Sequence, residues 1–320
     1  MQTKQISAII ITKNEENNIE KCITSLINSL NGLDYEILLI DSTSTDRTID
    51  KAKKYPIKIF QTYSNKQMSP SAGRYLGTKY ASGKYLFFVD ADVIVMKNFI
   101  KKALKILKND VAGVRGILYI VKPNEQINKR YKERTLFGDI SPLWGQAAIY
   151  RKDVLKKSGT FNPFLKGEEE RELAERIRFL NYKLLTINIP MGYHMNKTLS
   201  EEEITEKASY FRGVGQILIT NKCNKKSINM LKSYRSIILE EIIFIGIIIL
   251  LLTLIVTNIK WGICLTIALV GIAVSIKGFK KTLLRIRSRI FILINLLKGL
   301  HMGLQKAENF DKIVKVRKIK

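Results

Sequence analysis

Short apolar runs alternate with amphipathic stretches through the N-terminal part of the chain. The runs Ile6–Ile11, Tyr35–Asp41, Ile57–Phe60 and Leu86–Val89 are rich in β-branched or aromatic residues and are too short for soluble helices. Between the first two runs, apolar residues recur at helical spacing from Ile19 to Leu30. Strands that alternate with helices in this way predict βαβ units and a mostly parallel sheet.

Polar residues stand where the predicted strands end. Thr12 follows the first strand, Asp41 ends the second, and Asp90 and Asp92 come directly after Leu86–Val89. Ligands of parallel sheets bind at the carboxyl ends of the strands, so these side chains are expected along one edge. Two buried carboxylates need a counter-charge, and a divalent cation that carries phosphate oxygens supplies one. The pattern therefore predicts Mg²⁺ or Mn²⁺ with a phosphorylated substrate, and a solvated strand-end turn is the alternative.

Two longer apolar runs predict a membrane module in the C-terminal part. Ile242–Ile259 holds 18 residues without a charge, Trp261–Ile276 holds 16, and only Lys260 separates them, which predicts a transmembrane hairpin. Basic residues flank both sides of this hairpin, so the positive-inside rule places the N-terminal domain in the cytoplasm. The basic, apolar stretch Leu283–Leu304 predicts an interfacial helix on anionic lipid, with a third span as the alternative.

The charge balance agrees with a membrane partner. The chain has 54 Lys and Arg residues against 28 Asp and Glu residues, a formal charge of +26. Such an excess favours nucleic acid, anionic lipid or a phosphorylated substrate as a partner. Attachment to anionic lipid explains much of it, so we expect no nucleic acid. The cysteines Cys22, Cys223 and Cys264 are far apart, which argues against a disulfide framework and a zinc site.

Three segments together resemble family 2 glycosyltransferases of the GT-A fold: Ile9–Glu15, Ile40–Thr48 and Ala81–Asp92. The resemblance extends over roughly Ile6–Leu185 and implies an α/β domain with a mixed, mostly parallel sheet that binds a nucleotide-diphosphate sugar and Mg²⁺ or Mn²⁺. It implies contacts to the nucleoside diphosphate from Thr12 and Glu15, to the nucleobase from Asp41, and to ribose and metal from Asp90 and Asp92. Asp46 would order the second loop or simply cap the next helix.

Further positions match the family less closely. Arg74 fits an arginine-bearing helix and would pair with the diphosphate, with a surface arginine as the alternative; Tyr75 stands where the family often has Asn. His194 is a tentative metal ligand by resemblance, and a structural histidine otherwise. Trp144 would be an acceptor-side platform or a buried core residue. The Gln-x-x-Arg-Trp motif of processive members is missing from this sequence, so a polymer synthase is not expected.

The resemblance also places Glu169 and Glu170 at the acidic pair that opens a helix in the second half of the domain. An inverting sugar transfer needs a base for the acceptor hydroxyl, and Glu170 is the predicted base with Glu169 beside it. The alternative is that Glu168–Glu170 only complement the helix dipole.

The sequence therefore predicts a catalytic domain at 1–198, amphipathic and linker helices at 199–235, a transmembrane hairpin at 236–277, and a basic interfacial helix and tail at 278–320. The expected protein is a multi-pass cell-membrane glycosyltransferase with its catalytic domain on the cytoplasmic face. It would move one sugar from a nucleotide donor to a lipid-linked acceptor, a glycosylated polyprenyl or dolichyl carrier. The alternatives are a polyprenyl- or dolichyl-phosphate sugar synthase and a non-enzymatic, membrane-tethered nucleotide-sugar-binding partner.

Overall fold

The computed structural model of the chain describes residues 4–63, 68–121, 131–132, 138–139, 147–195, 201–220, 235–257, 259–260, 263–264, 266–267, 279–303 and 309–320. The chain divides into two compact units, unit 1 with Met1–Thr198 and Gln305–Lys320, and unit 2 with Leu199–Leu304. Trp144 and most of the predicted span Trp261–Ile276 lie outside the described residues.

Unit 1 is built on one mixed sheet with helices on both faces. Its strands are β1 (Ile6–Thr12), β2 (Tyr35–Asp41), β3 (Lys58–Tyr63), β4 (Tyr85–Asp90), β5 (Val93–Val95), β6 (Val111–Val121), β7 (Tyr131–Lys132), β8 (Gly138–Asp139), β9 (Ala147–Arg151), β10 (Lys183–Met195) and β11 (Lys315–Lys318). Its helices are α1 (Ile19–Leu30), α2 (Thr48–Ala52), α3 (Pro70–Tyr80), α4 (Phe99–Leu104), α5 (Lys152–Ser158) and α6 (Glu169–Phe179), and a short helix, Phe310–Ile313, lies near the C-terminus.

The strand order is β11-β3-β2-β1-β4-β9-β6-β10-β5, with β7 beside β6 and β8 beside β10. The pairs β3–β2, β2–β1, β1–β4 and β6–β10 are parallel. The pairs β4–β9, β9–β6, β10–β5 and β11–β3 are antiparallel. This supports the expected mixed α/β sheet of GT-A type.

The apolar runs are continuous because both faces of the sheet are covered. Along β1, Ile6, Ala8 and Ile10 belong to the core layer that includes α1. The alternate residues Ile9 and Ile11 belong to the opposite layer, which includes α3, α5 and α6. Since side chains alternate across a strand, a strand buried on both faces is apolar at most positions, and the buried Ser7 of β1 and Glu36 of β2 are hydrogen-bonded to each other.

The C-terminal tail differs from its prediction. The sequence predicts a basic tail that belongs with the interfacial helix at 278–320, but the tail belongs to unit 1, where Lys315–Lys318 forms β11 and pairs antiparallel with the outer edge of β3. The short helix before it, α10 (Phe310–Ile313), buries Phe310 in the core layer of α3. Lys and Arg on an edge strand keep their charges in solvent, so a basic sequence is compatible with β structure at this position.

Unit 2 is helical, with α7 (Glu201–Thr220), α8 (Arg235–Thr257) and α9 (Phe279–Met302). Gly215 of α7 and Gly299 of α9 lie directly against the backbone of the partner helix, where a side chain would overlap it. The buried Asn295 side chain accepts a hydrogen bond of 2.6 Å from Arg212 across this contact. The predicted interfacial helix therefore packs one face on α7.

The transmembrane hairpin at 236–277 stays a prediction. None of the helices, over the residues that the structure describes, combines the length and apolar character that a membrane crossing requires. Several apolar side chains of α8 and α9 are nevertheless exposed: Leu239, Ile242, Ile243, Ile247, Ile248, Ile249, Leu250, Leu252, Val256, Ile286, Ile290, Ile294 and Leu297.

A buried carboxylate joins the strands at the edge opposite to the predicted site. Glu36 accepts hydrogen bonds from Ser7 Oγ at 2.6 Å, from the Ser82 backbone N–H at 2.6 Å and from Lys58 Nζ at 2.6 Å. Burial alone would raise the pKa of Glu36, but the bonds from Lys58, Ser7 and Ser82 outweigh it and lower the pKa to about 2. The ionised carboxylate therefore stabilises the fold.

We expect Glu36→Gln to lower the free energy of unfolding by about 1–3 kcal/mol at pH 7, because an amide oxygen cannot serve all of these donors. The ordinary pKa of the carboxyl is 4.5 and the folded value is about 2. The stabilisation is therefore full above pH 4.5 and is lost as the pH falls towards 2. Denaturant unfolding at pH 7 and pH 3 measures it. The exposed Asp50→Asn is the control, and an equal loss at both pH values would contradict the role of the charge.

Candidate active site

The residues predicted at strand ends do share one edge of the sheet. The register places Thr12 beside Asp41 and Ile11 beside Asp90, so the carboxyl ends of β1, β2 and β4 are aligned. Thr12 is buried, and its Oγ1 atom makes no hydrogen bond within the described chain. A buried hydroxyl without a protein partner at this edge is a group that a ligand can satisfy.

Asp41 is fully buried and holds the loop that follows β2. Its Oδ1 atom accepts a 2.5 Å hydrogen bond from Ser44 Oγ, and its Oδ2 atom accepts bonds from Ser44 N at 2.9 Å and Gln61 Nε2 at 3.0 Å. Asp41 is thus a loop organiser as well as a candidate ligand residue. Gln61, from β3, was not anticipated from the sequence.

The loops after β1 and β2 interlock through Asp46 and Thr48. Asp46 accepts hydrogen bonds from Thr48 N at 3.0 Å and from Glu16 N at 3.1 Å. Thr48 Oγ1 in turn accepts a bond of 2.8 Å from Glu15 N. Asp46 therefore orders both loops, and it also accepts a hydrogen bond from the backbone N–H of Thr48, the first residue of α2. The two roles predicted for this residue, ordering the loop and capping the helix, are thus compatible.

Arg74 is buried rather than on the surface, so the surface-arginine alternative is wrong. Its Nη1 atom donates to Glu169 at 2.8 Å and its Nη2 atom donates to Asp90 at 3.2 Å. The same Nη2 atom lies 3.8 Å from Glu170. Arg74 reaches this position because α3 lies close to the sheet, where Gly77 packs directly on Ile9.

The carboxylates around Arg74 carry more negative charge than one guanidinium can compensate. Burial, followed by the charge of Glu170, raises the pKa of Glu169 to about 8 against the opposing effect of Arg74. Burial also raises the pKa of Asp90 to about 7, with Arg74 opposing and Asp92 adding to the shift. A cation that enters this site would therefore be stabilised by several carboxylates.

Asp92 and His194 meet at the same edge. Hydrogen bonding between β10 and the Asp92 carbonyl places the two residues together, and His194 Nε2 lies 3.1 Å from Asp92 Oδ2. The other carboxylate oxygen, Asp92 Oδ1, is buried and makes no hydrogen bond within the described chain. His194 thus lies beside Asp92, and its role as a metal ligand stays a prediction.

The donor set fits a metal ion that substrate helps to bind. Within the described ranges, no three His, Cys, Asp or Glu side chains are arranged to hold a metal ion by themselves. Mg²⁺ and Mn²⁺ commonly take one or two carboxylates and complete their shell with phosphate oxygens. The unpartnered Oδ1 atom of Asp92 suits this mode, with His194 beside it, whereas Asp90 is held by Arg74.

Glu169 and Glu170 differ in their surroundings. Glu169 begins α6, is buried and is bound to Arg74, whereas the Glu170 side chain keeps 17% of its surface exposed. Glu168 has a left-handed backbone and forms a 2.7 Å ion pair with Arg171. Glu169 is thus paired with Arg74 and Glu168 with Arg171, whereas Glu170 lies 3.8 Å from Arg74 and keeps part of its side chain in solvent.

Residues 7–159 match the model of the family Glycosyl transferase family 2. A dolichol-phosphate mannosyltransferase of Pyrococcus furiosus is 38% identical over 120 residues, which cover 36% of this chain and 34% of that protein. A dolichyl N-acetyl-α-D-glucosaminyl phosphate 3-β-D-2,3-diacetamido-2,3-dideoxy-β-D-glucuronosyltransferase of Methanococcus voltae is 29% identical over 163 residues, 47% of this chain and 51% of that protein. The chain thus spans a third to a half of the length of these relatives.

A solved structure resembles more of the chain. The mannosyltransferase PcManGT from Pyrobaculum calidifontis, in complex with GDP-Man and Mn²⁺, covers 94% of this chain and 88% of its own, with a TM-score of 0.62 and 14% identity. At this identity the likeness shows the fold. The family match and these relatives, both of which are named as glycosyltransferases, show a resemblance over part of the chain.

We expect Arg74→Met to lower the free energy of unfolding by about 3–5 kcal/mol, because it leaves Asp90 and Glu169 buried without their counter-charge. Arg47→Met is the matched control: its side chain is 75% exposed and pairs with Glu16 at 3.2 Å. Removal of such an exposed pair should cost about 0–1 kcal/mol. Denaturant unfolding at neutral pH compares the variants, and equal losses would show that Arg74 does not hold the cluster together.

Proposed function

We propose that this chain is a metal-dependent, inverting glycosyltransferase that moves one sugar from a nucleotide-diphosphate donor to a lipid-linked acceptor. The observation that carries the proposal is the arrangement at one sheet edge, where Asp41 and Asp90 end aligned strands, Asp92 follows, and Arg74 joins Asp90 to the Glu169–Glu170 pair. Such an edge can hold a nucleotide, a diphosphate and an acceptor in adjacent positions.

The donor would extend along this edge from Asp41 to Asp92. Thr12 Oγ1 and Glu15 lie on the interlocked loops beside Asp41, on the side assigned to the nucleoside. Asp90, Asp92 and Arg74 lie on the side assigned to ribose and diphosphate. A bound Mg²⁺ or Mn²⁺ held by Asp92 and His194 would neutralise charge on the departing diphosphate.

Glu170 is the proposed base. In the transfer, the acceptor oxygen forms a bond to the anomeric carbon while the bond from that carbon to the diphosphate oxygen breaks. The acceptor proton passes to the Glu170 carboxylate. Glu169, held by Arg74 at 2.8 Å, is a positioning residue for Glu170 rather than the base.

The acceptor is either a lipid phosphate or a sugar hydroxyl on a lipid carrier, and the names of the two relatives indicate one of these acceptors each. The name of the Pyrococcus protein indicates sugar transfer to dolichol phosphate, where the nucleophile is already an anion. The name of the Methanococcus protein indicates transfer to a sugar that dolichyl phosphate carries. A sugar hydroxyl needs a base, and the carboxylate pair at the start of α6 supplies one, so we favour the lipid-linked sugar.

A transfer assay on the purified full chain tests the proposal. UDP-, GDP- and dTDP-sugars with Mn²⁺ would be offered to polyprenyl phosphate and to polyprenyl-linked monosaccharides, with mass spectrometry of the lipids. Glycosylated lipid is expected with one donor, and Asp92→Asn should reduce its formation by about 10²-fold or more, because the metal loses its carboxylate. Donor binding without any transfer would favour the non-enzymatic nucleotide-sugar-binding partner.

Glu170→Gln distinguishes the acceptors within the same assay. If a sugar hydroxyl is the nucleophile, the variant should lose about 10²–10⁴-fold in rate, and if lipid phosphate is the nucleophile the loss should be mild. Glu175→Gln, on the same helix, is the control and should keep the wild-type rate. A wild-type rate for Glu170→Gln on a hydroxyl acceptor would contradict its role as the base.

We extend the proposal to the membrane, where unit 2 would attach the enzyme to the cytoplasmic leaflet. Exposed apolar side chains recur along α8, and those of α9 recur on one face at Ile286, Ile290, Ile294 and Leu297. Arg287, Arg289 and Lys298 accompany them on α9. A helix with an apolar face and basic residues suits an anionic lipid surface.

Vesicle flotation of the full chain tests this attachment. Binding to vesicles with anionic lipid is expected, and Ile249→Lys on α8 should reduce it, because a charge would replace a side chain that is 58% exposed. Phe179→Lys is the control, since this residue is 71% exposed but belongs to unit 1. Equal flotation of both variants would contradict attachment through α8, and extraction with alkaline carbonate separates an inserted hairpin from an interfacial helix.

A further inference from the structure

We propose that the C-terminal segment 309–320 positions the donor site, through contacts of Phe310, Asp311 and β11 with elements that carry site residues. The inference rests on the proposed function, because it assigns the segment to the binding of the nucleotide donor. The segment acts through β3, α3 and the loop before α6, each of which bears or contacts a residue of the site.

The first connection runs from β11 through β3 to Asp41. In the antiparallel register, Arg317 lies opposite Gln61 and Val316 lies opposite Thr62. Gln61 donates to the Asp41 side chain at 3.0 Å, and Thr62 Oγ1 donates to the Asp41 carbonyl at 3.1 Å. β3 would otherwise be an edge strand with unpaired backbone groups, so β11 fixes the strand that holds Asp41.

The second connection runs from α10 to α3. The ring of Phe310 meets that of Tyr75 edge to face, with centroids 5.7 Å apart. Asp311 Oδ2 accepts a hydrogen bond of 3.2 Å from the Tyr75 hydroxyl and a 2.8 Å bond from Lys79. Tyr75 follows Arg74 directly, so these contacts hold the turn of α3 from which Arg74 extends.

The third connection runs from Phe310 to the loop before α6. Phe310 also meets Phe164 edge to face, with centroids 5.6 Å apart. The same loop is held from α3, because Ser71 Oγ donates to the Asn162 carbonyl at 2.6 Å. Phe310 is therefore wedged against both elements, α3 on one side and the loop that leads to Glu169 on the other.

The second and third connections affect the ion pair between Arg74 and Glu169, which joins α3 to the start of α6. Arg74 extends from α3 and bonds Glu169 at 2.8 Å, so the spacing between α3 and the start of α6 sets the length of this pair. Phe310 packs between α3 and the loop that leads to α6, and in this way helps to fix that spacing. A displacement of about 1 Å is enough to weaken catalytic geometry severely, so loss of the Phe310 ring should reach the donor site.

The experiment compares Phe310→Ala with Ile313→Ala in the full chain. Ile313 lies on the same helix and is 53% exposed, so its truncation removes an apolar side chain outside these contacts. Calorimetric titration with UDP, GDP and dTDP, each with Mn²⁺, measures donor-site affinity. Phe310→Ala should weaken the binding of the preferred nucleotide by roughly threefold to tenfold, with Ile313→Ala within about twofold of wild type.

A second pair of variants changes polar groups only, so it tests the same connection even if Phe310→Ala prevents folding. Tyr75→Phe removes the hydroxyl–carboxylate bond, and Asp311→Ala removes this bond together with the ion pair to Lys79; both retain the aromatic packing. Both should weaken nucleotide binding by roughly twofold to fivefold, and the double variant should be no weaker than Asp311→Ala alone, because Asp311→Ala already removes the bond to Tyr75. Additive effects of the two changes on nucleotide affinity would contradict the proposed connection.

Hydrogen exchange provides a readout that does not depend on the nucleotide. Phe310→Ala should speed amide exchange in α3 and in residues 42–48, beyond the tail itself, whereas Ile313→Ala should not. Faster exchange confined to 309–320, or a lower melting temperature with unchanged nucleotide affinity, would overturn the inference. If the wild-type chain binds none of UDP, GDP and dTDP in the same titration, the proposed function fails, and the inference fails with it.

Discussion

The site depends on one buried guanidinium. Arg74 lies between Asp90 at the end of β4 and Glu169 at the start of α6, two elements that are far apart in sequence. Burial raises the pKa values of both carboxyl groups even beside this guanidinium, which opposes the shift, so its loss would favour their neutral forms further and leave them without their partner. The end of β4 and the start of α6 are therefore held to α3 by the same side chain.

The remaining negative charge explains why the site is suited to a cation and a diphosphate. Asp90, Glu169 and Glu170 lie around one arginine, and burial, together with the neighbouring acidic groups Asp92 and Glu170, raises the pKa values of Asp90 and Glu169. A divalent cation would offset the excess, and the phosphate oxygens that accompany it would complete its coordination. Asp92 Oδ1 is buried without a hydrogen bond within the described chain, which is why it is the oxygen proposed to bind that cation.

The loops after β1 and β2, where the nucleotide is proposed to bind, are organised by hydrogen bonds rather than by apolar packing. Asp41 and Asp46 each accept bonds from backbone and side-chain donors of the loops after β1 and β2. Because these bonds connect residues from different loops, the shape of one loop depends on the other. The C-terminal strand adds a further dependence, since it pairs with the strand that supplies Gln61 to Asp41.

The sequence by itself determined the sheet, the shared edge and the identity of the acidic residues. Continuous apolar runs, which lack a polar residue at every second position, indicate strands that are covered on both faces. Thr12, Asp41 and Asp90 stand at the ends of these strands whatever the packing around them. Only the tertiary structure decided that Arg74 is buried between Asp90 and Glu169, that Gln61 supports Asp41, and that the basic tail completes the sheet. Local patterns set the local backbone, but these contacts join residues far apart in the chain, and a charged side chain has no periodic signal that reveals its partner.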